Sequence, residues 1–129
     1  KGRDSEGIEL RRSYEEYFRE QLGYVYLVQE YPYETESLEE ILGLLVDTCC
    51  TARKLIRIAG DDKPVDVVKG QFMKLTGEHI RFVLSCLKEN TTKVRNMKQY
   101  LLTALYNAPL TISNYYSSRV NHDMANGRI

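Results

Sequence analysis

The residues best placed to do chemistry in this chain are cations. In NTTKVRNMKQYLLTALYNAP, residues 90 to 109, Lys93, Arg95 and Lys98 stand at the front of an apolar run that Pro109 closes. A second group, Arg53, Lys54 and Arg57, is interleaved with Leu55, Ile56 and Ile58 in TARKLIRIAGDDKP. Such groups can grip phosphates or acidic side chains. The first sits where a helix should begin, and there the dipole disfavours lysine and arginine unless an anion compensates. Free backbone N–H groups at that end would add to the grip on a phosphate. Plain solvation, or pairing with Glu78 or Glu89, is the simpler account, at a cost of only a few tenths of a kcal/mol per charge.

Other chemistries lack residues to carry them. The chain has no Gly-rich phosphate loop, nucleophile elbow or HExxH. His79 and His122 lie far apart, and Asp123 beside His122 would point elsewhere on a helix, so no metal site is expected. Glu15-Glu16, Glu39-Glu40 and Asp61-Asp62 read as helix-start and turn residues rather than acid/base dyads. With three cysteines, two of them adjacent at Cys49-Cys50, neither a disulfide framework nor a CxxC metal spacing can be drawn. The expectation is a cytoplasmic protein that is not an enzyme and takes no cofactor.

These cations need a scaffold, and 129 residues suit one domain burying roughly 65% of its unfolded surface. Apolar residues at 43% and charged residues at 28% are ordinary globular values, far from the composition of disordered chains. No apolar run approaches the ~20 residues of a membrane span, and the N-terminus has no signal-peptide core. Net charge is zero, yet residues 1 to 50 hold twelve acids against five bases, and residues 51 to 129 thirteen bases against six acids. Such asymmetry fits a positive face that meets a polyanion or acidic partner. It fits equally two halves that pair with each other across the fold, which is the simpler reading.

The periodicity is helical nearly throughout. Ser13 with Glu16 forms a capping-box pattern ahead of Tyr17, Phe18 and Leu22, and Gly23 should end that helix. Six of the ten tyrosines lie between residues 14 and 33, a stripe expected to pack on the core with wet hydroxyls. Ser37 with Glu40 predicts a second start, followed by the stripe Leu38, Ile41, Leu42, Leu45, Val46 and Cys49. Residues 54 to 59 read either as a helix end or as a short extended arm before a turn over residues 60 to 64. Pro64 and Asp66 then open a helix burying Val65, Val68, Phe72 and Leu75. Thr76 caps another with Ile80, Val83, Leu84 and Leu87 inside, stopped by a left-handed Asn90.

Thr91 or Thr92 should cap a helix over residues 93 to 107 with Val94, Met97, Leu101, Ala104, Leu105 and Ala108 on its core face. Arg95, Gln99, Leu102 and Tyr106 fall opposite, and Pro109 should end it before a last amphipathic segment from Thr111 to about Met124. The predicted fold is all-α, a compact bundle of about five or six helices with the one extended arm as an option.

The strings RKLIRIAGDDKPVDVVKGQFMKL, HIRFVLSCLKENTTKVRNMKQYLLTALYNAP and NYYSSRVNHDM carry a resemblance, over about residues 13 to 124. They resemble the C-terminal domain of replication initiator A proteins (RepA) of Gram-positive plasmids and mobile elements, itself similar to the C-terminal domain of the primosomal protein DnaD. The resemblance implies residues 1–12 as a linker from an origin-binding winged-helix domain, 13–124 as a DnaD-like helical domain and 125–129 as a tail. It also implies a role in DNA replication initiation, through contact with host primosome proteins such as primase or the helicase loader. The DnaD family carries a Tyr-x-x-x-Ile-x-x-x-Trp motif, and here Tyr100 matches while Ala104 and Ala108 take the other two places. The absent tryptophan removes a stacking platform worth roughly 1–3 kcal/mol per base, which weighs against single-strand DNA binding there and leaves partner binding less affected.

Three functions stand as expectations. A protein-interaction module would recruit the primosome through a partly apolar patch edged by Leu102, Tyr106 or Tyr115-Tyr116, with Tyr100 beside it. A DNA-binding module would use Arg53, Lys54, Arg57, Lys93, Arg95 and Lys98 on phosphates, with steep salt dependence. A homo-oligomer would bridge initiators on separate origin repeats.

Overall fold

The computed structural model describes the backbone of residues 2–90 and 96–125, and the side chains of residues 6–90 and 96–112. Among the described residues, six helices and one β-hairpin follow in the order α1 (Gly2–Leu22), α2 (Tyr24–Glu30), α3 (Thr35–Cys50), β1 (Leu55–Ile58), β2 (Asp61–Pro64), α4 (Val65–Phe72), α5 (Gly77–Asn90) and α6 (Met97–Ala125). The fold is mostly helical, and the optional arm is real as half of the two-stranded antiparallel sheet. α1 packs on α3, α5 on α6, and α4 bridges α3 and α6 while the hairpin leans on α4 and α6.

The buried stripes account for this packing. Leu38, Ile41, Leu42, Leu45, Val46 and Cys49 all lie inside, as do Val68, Phe72, Leu75, Ile80, Val83, Leu84 and Leu87. They meet Phe18, Leu22 and Leu27 from α1 and α2 and Leu101, Leu105 and Ala108 from α6 in one cluster. Of the tyrosine stripe, Tyr14 and Tyr17 pack on this core and Tyr24 is buried, but Tyr26 and Tyr33 are 70% and 98% exposed. The Tyr17 hydroxyl donates to the Met73 carbonyl at 2.9 Å, tying α1 to the turn after α4.

Several boundaries differ from expectation. α1 is continuous from Gly2, so residues 2 to 12 are helical, and Ser13 is interior instead of a cap. Ser37 lies inside the first turn of α3, whose N-cap position is Glu34. Gly23 does end α1, with φ of 62° in the left-handed region. Asn90 ends α5 without a positive φ, its amide donating instead to the Cys86 carbonyl at 2.9 Å. Thr91 and Thr92 lie outside the described residues, and the described N-cap of α6 is Asn96, whose Oδ1 accepts the Gln99 N–H at 3.1 Å. Pro109 does not stop α6, although it lacks an N–H and costs a helix interior about 3 kcal/mol. Leu101, Leu105, Ala108 and Ile112 form one buried stripe across it, and burying Ile112 offsets the break.

Of the run at residues 60 to 64, Gly60 is turn as expected and Asp61–Pro64 is strand: Arg57 pairs with Asp62 and Ile58 with Asp61, leaving Ala59-Gly60 as a two-residue loop. Their φ values of 53° and 82° are those of a type I′ turn, which favours asparagine or glycine at its first position over alanine. Ala59→Asn is therefore expected to raise stability by roughly 0.5–1 kcal/mol, read from the urea midpoint. A lower midpoint would contradict this assignment of strain.

α5 starts under two constraints. A Cβ on Gly77 would sit 2.8 Å from the Leu22 carbonyl oxygen, so the end of α1 presses on the first turn of α5. One residue earlier, the Thr76 N–H donates to His79 Nδ1 at 2.9 Å, a capping contact that needs an unprotonated Nδ1. Burial lowers the His79 pKa from its usual 6.5, with Glu78 opposing in part. The neutral ring therefore adds stability that is complete above about pH 6.5 and fades as pH falls through the lowered folded-state value. Between about pH 7 and pH 5, the loss of urea midpoint should be smaller in His79→Gln, which keeps an acceptor but cannot titrate there. Equal losses in both proteins would remove His79 as the cause.

Candidate functional site

Between the end of α3, the hairpin and the start of α6 lies an open hollow of about 270 Å³. α3 supplies Leu44, Asp47 and Thr48, and the connection after it supplies Thr51 and Arg53. β1 adds Ile56 and Arg57, and the first turns of α6 add Lys98, Gln99 and Leu102. Local physics fixes each cation. Thr51 ends α3 in an extended conformation and its hydroxyl accepts the Arg53 N–H at 3.3 Å. The chain then enters β1, anchored where the Val65 N–H donates to the Lys54 carbonyl at 2.9 Å. Strand alternation buries Ile58 and turns Arg57 outward, where Asp62 on the opposite strand meets it at 3.2 Å.

Lys98 stands in the first turn of α6, an end whose dipole repels it, beside the Asn96 cap. Among the described residues, neither Arg53 nor Lys98 makes an ion pair. The acid in the wall, Asp47, is met by Arg11 of α1 at 2.7 Å. The hollow thus offers two unpaired cations, a third balanced across the hairpin, and hydroxyl and amide groups that can donate between them. Such an arrangement holds carboxylates or phosphates by charge-assisted hydrogen bonds.

The fold therefore unites Arg53, Arg57 and Lys98 from two distant parts of the chain. Lys54 is exposed and does not line the hollow, and Lys93 and Arg95 lie outside the described residues. Leu102, expected on an open partner-facing surface, is only 4% exposed, because the hairpin covers that side of α6. Tyr106 is half-buried under the Lys63 ammonium, 5.3 Å from its ring, and its carbonyl accepts from Gln71 Nε2 at 3.0 Å. Tyr100 faces a different, apolar groove between α5 and α6 with Phe82, Cys86 and Asn107. The side chains of Tyr115 and Tyr116 lie outside the described ones.

Sequence reasoning passed over Thr48, Thr51, Asp47 and Gln99. Only the positions of Thr48 and Thr51, one turn apart at the end of the α3 stripe, hinted at them. The charge asymmetry is answered in part within the fold: Arg81 meets Glu30 at 2.9 Å and Lys88 meets Glu34 at 3.8 Å, joining the basic half to the acidic half.

Elsewhere the chemistry is quiet. Burial pushes the Cys49 thiol up to about 11, which leaves almost no thiolate near neutrality. Among the described residues no three His, Cys, Asp or Glu side chains are grouped to hold a metal, and no helix is long and apolar enough to cross a membrane.

Residues 1–127 match a family of unknown function, DUF6017, and the chain belongs to that family. No curated protein and no solved structure matches it.

Proposed function

From the sequence resemblance and from the hollow, we propose that this chain is the C-terminal domain of a plasmid or mobile-element replication initiator. In the bacterial cytoplasm it recruits host primosome proteins, primase or the helicase loader, by gripping an acidic segment. The observation that supports this reading is the convergence of Arg53, Arg57 and Lys98 on one hollow. Its walls favour a protein over a uniform polyanion. Asp62 balances Arg57, which leaves Arg53 and Lys98 as the two cations without an ion pair among the described residues, too few to track a nucleic-acid backbone, and the chain's net charge of zero gives no long-range pull on DNA. Leu55, 51% exposed at the start of β1 beside Ile56 of the hollow, adds the apolar contact that a protein segment uses. The resemblance in IRIAGDD and YLLTALYNAP, strings that build the hairpin and α6, supports the same replication setting.

A second reading, an auxiliary grip on DNA phosphates, is favoured by the unpaired state of Arg53 and Lys98 among the described residues. Binding of the purified chain to purified primase and helicase loader from a Gram-positive host, measured by biolayer interferometry beside labelled single- and double-stranded oligonucleotides, separates the two. One of the proteins should bind, and excess oligonucleotide should not displace it. Salt-sensitive oligonucleotide binding with no response to either protein would replace the recruiter by the DNA module.

A further inference from the structure

Resting on the reading of the hollow as an anion contact, we propose that Arg11 is a positioning residue for it, acting through Asp47 although no residue of α1 lines the hollow. Asp47 stands one turn from the end of α3, in the same wall as Thr48 and Thr51, and among the residues lining the hollow it is the only acid. Left alone, its carboxylate would cancel one of the three cations and repel an incoming acidic group. Arg11 reaches across from α1 and holds it at 2.7 Å, so the pair is nearly neutral seen from the hollow. Asp47 in turn makes Arg11 hold its proton more firmly, chiefly through their hydrogen bond. Both side chains are about half exposed, at 51% and 62%. Salt therefore reaches the pair, and its influence belongs to low and moderate ionic strength.

A purely structural role for the pair, fastening α1 to α3, makes a different forecast from an electrostatic one. Fastening is lost by changing either partner, and any effect on binding then has the same sign. Charge compensation gives opposite signs. Removing Arg11 exposes a carboxylate in the wall, while removing the carboxylate leaves the cations unopposed.

The test is fluorescence anisotropy of the full 129-residue chain with a labelled polyglutamate peptide, run in parallel with labelled oligothymidylate, at low and high salt. Arg11→Gln is expected to weaken polyglutamate binding about threefold and Asp47→Asn to tighten it about threefold. The double variant should bind like Asp47→Asn alone, since nothing is left for Arg11 to neutralise. All differences should shrink at high salt. Unchanged affinity in both single variants, or weakening in both, overturns the proposal. If oligothymidylate alone binds and shows the opposite-signed pattern, the role of Arg11 stands and the acidic-protein reading falls. If neither probe binds the wild-type chain at low salt, both fall.

Discussion

Replacing Arg53, Arg57 and Lys98 together with alanine is expected to weaken binding of the anionic partner by about 3- to 150-fold while leaving the fold intact. The three residues are exposed, and none belongs to the core, so the substitution removes charge without opening a cavity. Exposed charge contacts contribute roughly 0.2–1 kcal/mol each, which over three gives the stated range. The Asp62 carboxylate left behind by Arg57 faces water and needs no new partner. Isothermal titration with the responding protein, together with a circular dichroism melt, checks both halves of the statement. If DNA is the ligand, the log–log salt slope should also flatten by about 0.9 for each phosphate that the variant no longer neutralises. Full-strength binding by a folded triple variant would move the site away from this hollow.

The largest loss of stability is expected from Phe72→Ala. Phe72 is fully buried where α4 meets α3 and α6, and truncating such a side chain costs about 3–5 kcal/mol. That is a large share of the roughly 5–15 kcal/mol of a whole domain. α4 has only eight residues, too few to persist without tertiary contacts, and Val68 and Phe72 are its buried anchors. β2 runs directly into α4, so loosening the helix releases the hairpin that carries Arg57. Urea unfolding should show the loss, and Phe72→Leu, which refills most of the space, should cost less than half as much. A penalty below about 1.5 kcal/mol for the alanine variant would mean that α4 is not held through this ring.

What could be read from the chain alone was the content of each buried stripe, because a helix places residues three and four apart on one face whatever surrounds it. The stripes of α3 and α5 needed nothing else, whereas in α4 Val65, expected inside, is only half-buried at the helix start. Leu102 could not be read this way. At helical spacing it falls at the flank of the stripe, about 100° round the helix from Leu101, and it is covered where α3 and a hairpin more than thirty residues earlier pack on α6.

Caps misled for a related reason. Ser13 and Ser37 carry the right partners for a capping box, but helices that bury an apolar face continue through such signals when the preceding residues are also compatible with helix. Pro109 is the same lesson in reverse, with Ile112 holding the helix past a residue that breaks isolated ones. Of the site, the cation types were legible, and their convergence was not. Arg53 and Arg57 lie some forty residues from Lys98, and only tertiary packing joins them.

The close approach of α1 to α5 at Gly77 bears on how this family can be traced through sequence collections. A side chain there would meet the backbone oxygen of Leu22, which cannot swing aside as a flexible side chain would. Divergent relatives that keep this helix crossing must therefore keep glycine at the corresponding position, even after the surface cations have drifted beyond recognition. A glycine one residue after a threonine cap, paired with a left-handed glycine closing the first long helix, is thus a more durable signature of the fold than any of its charged residues.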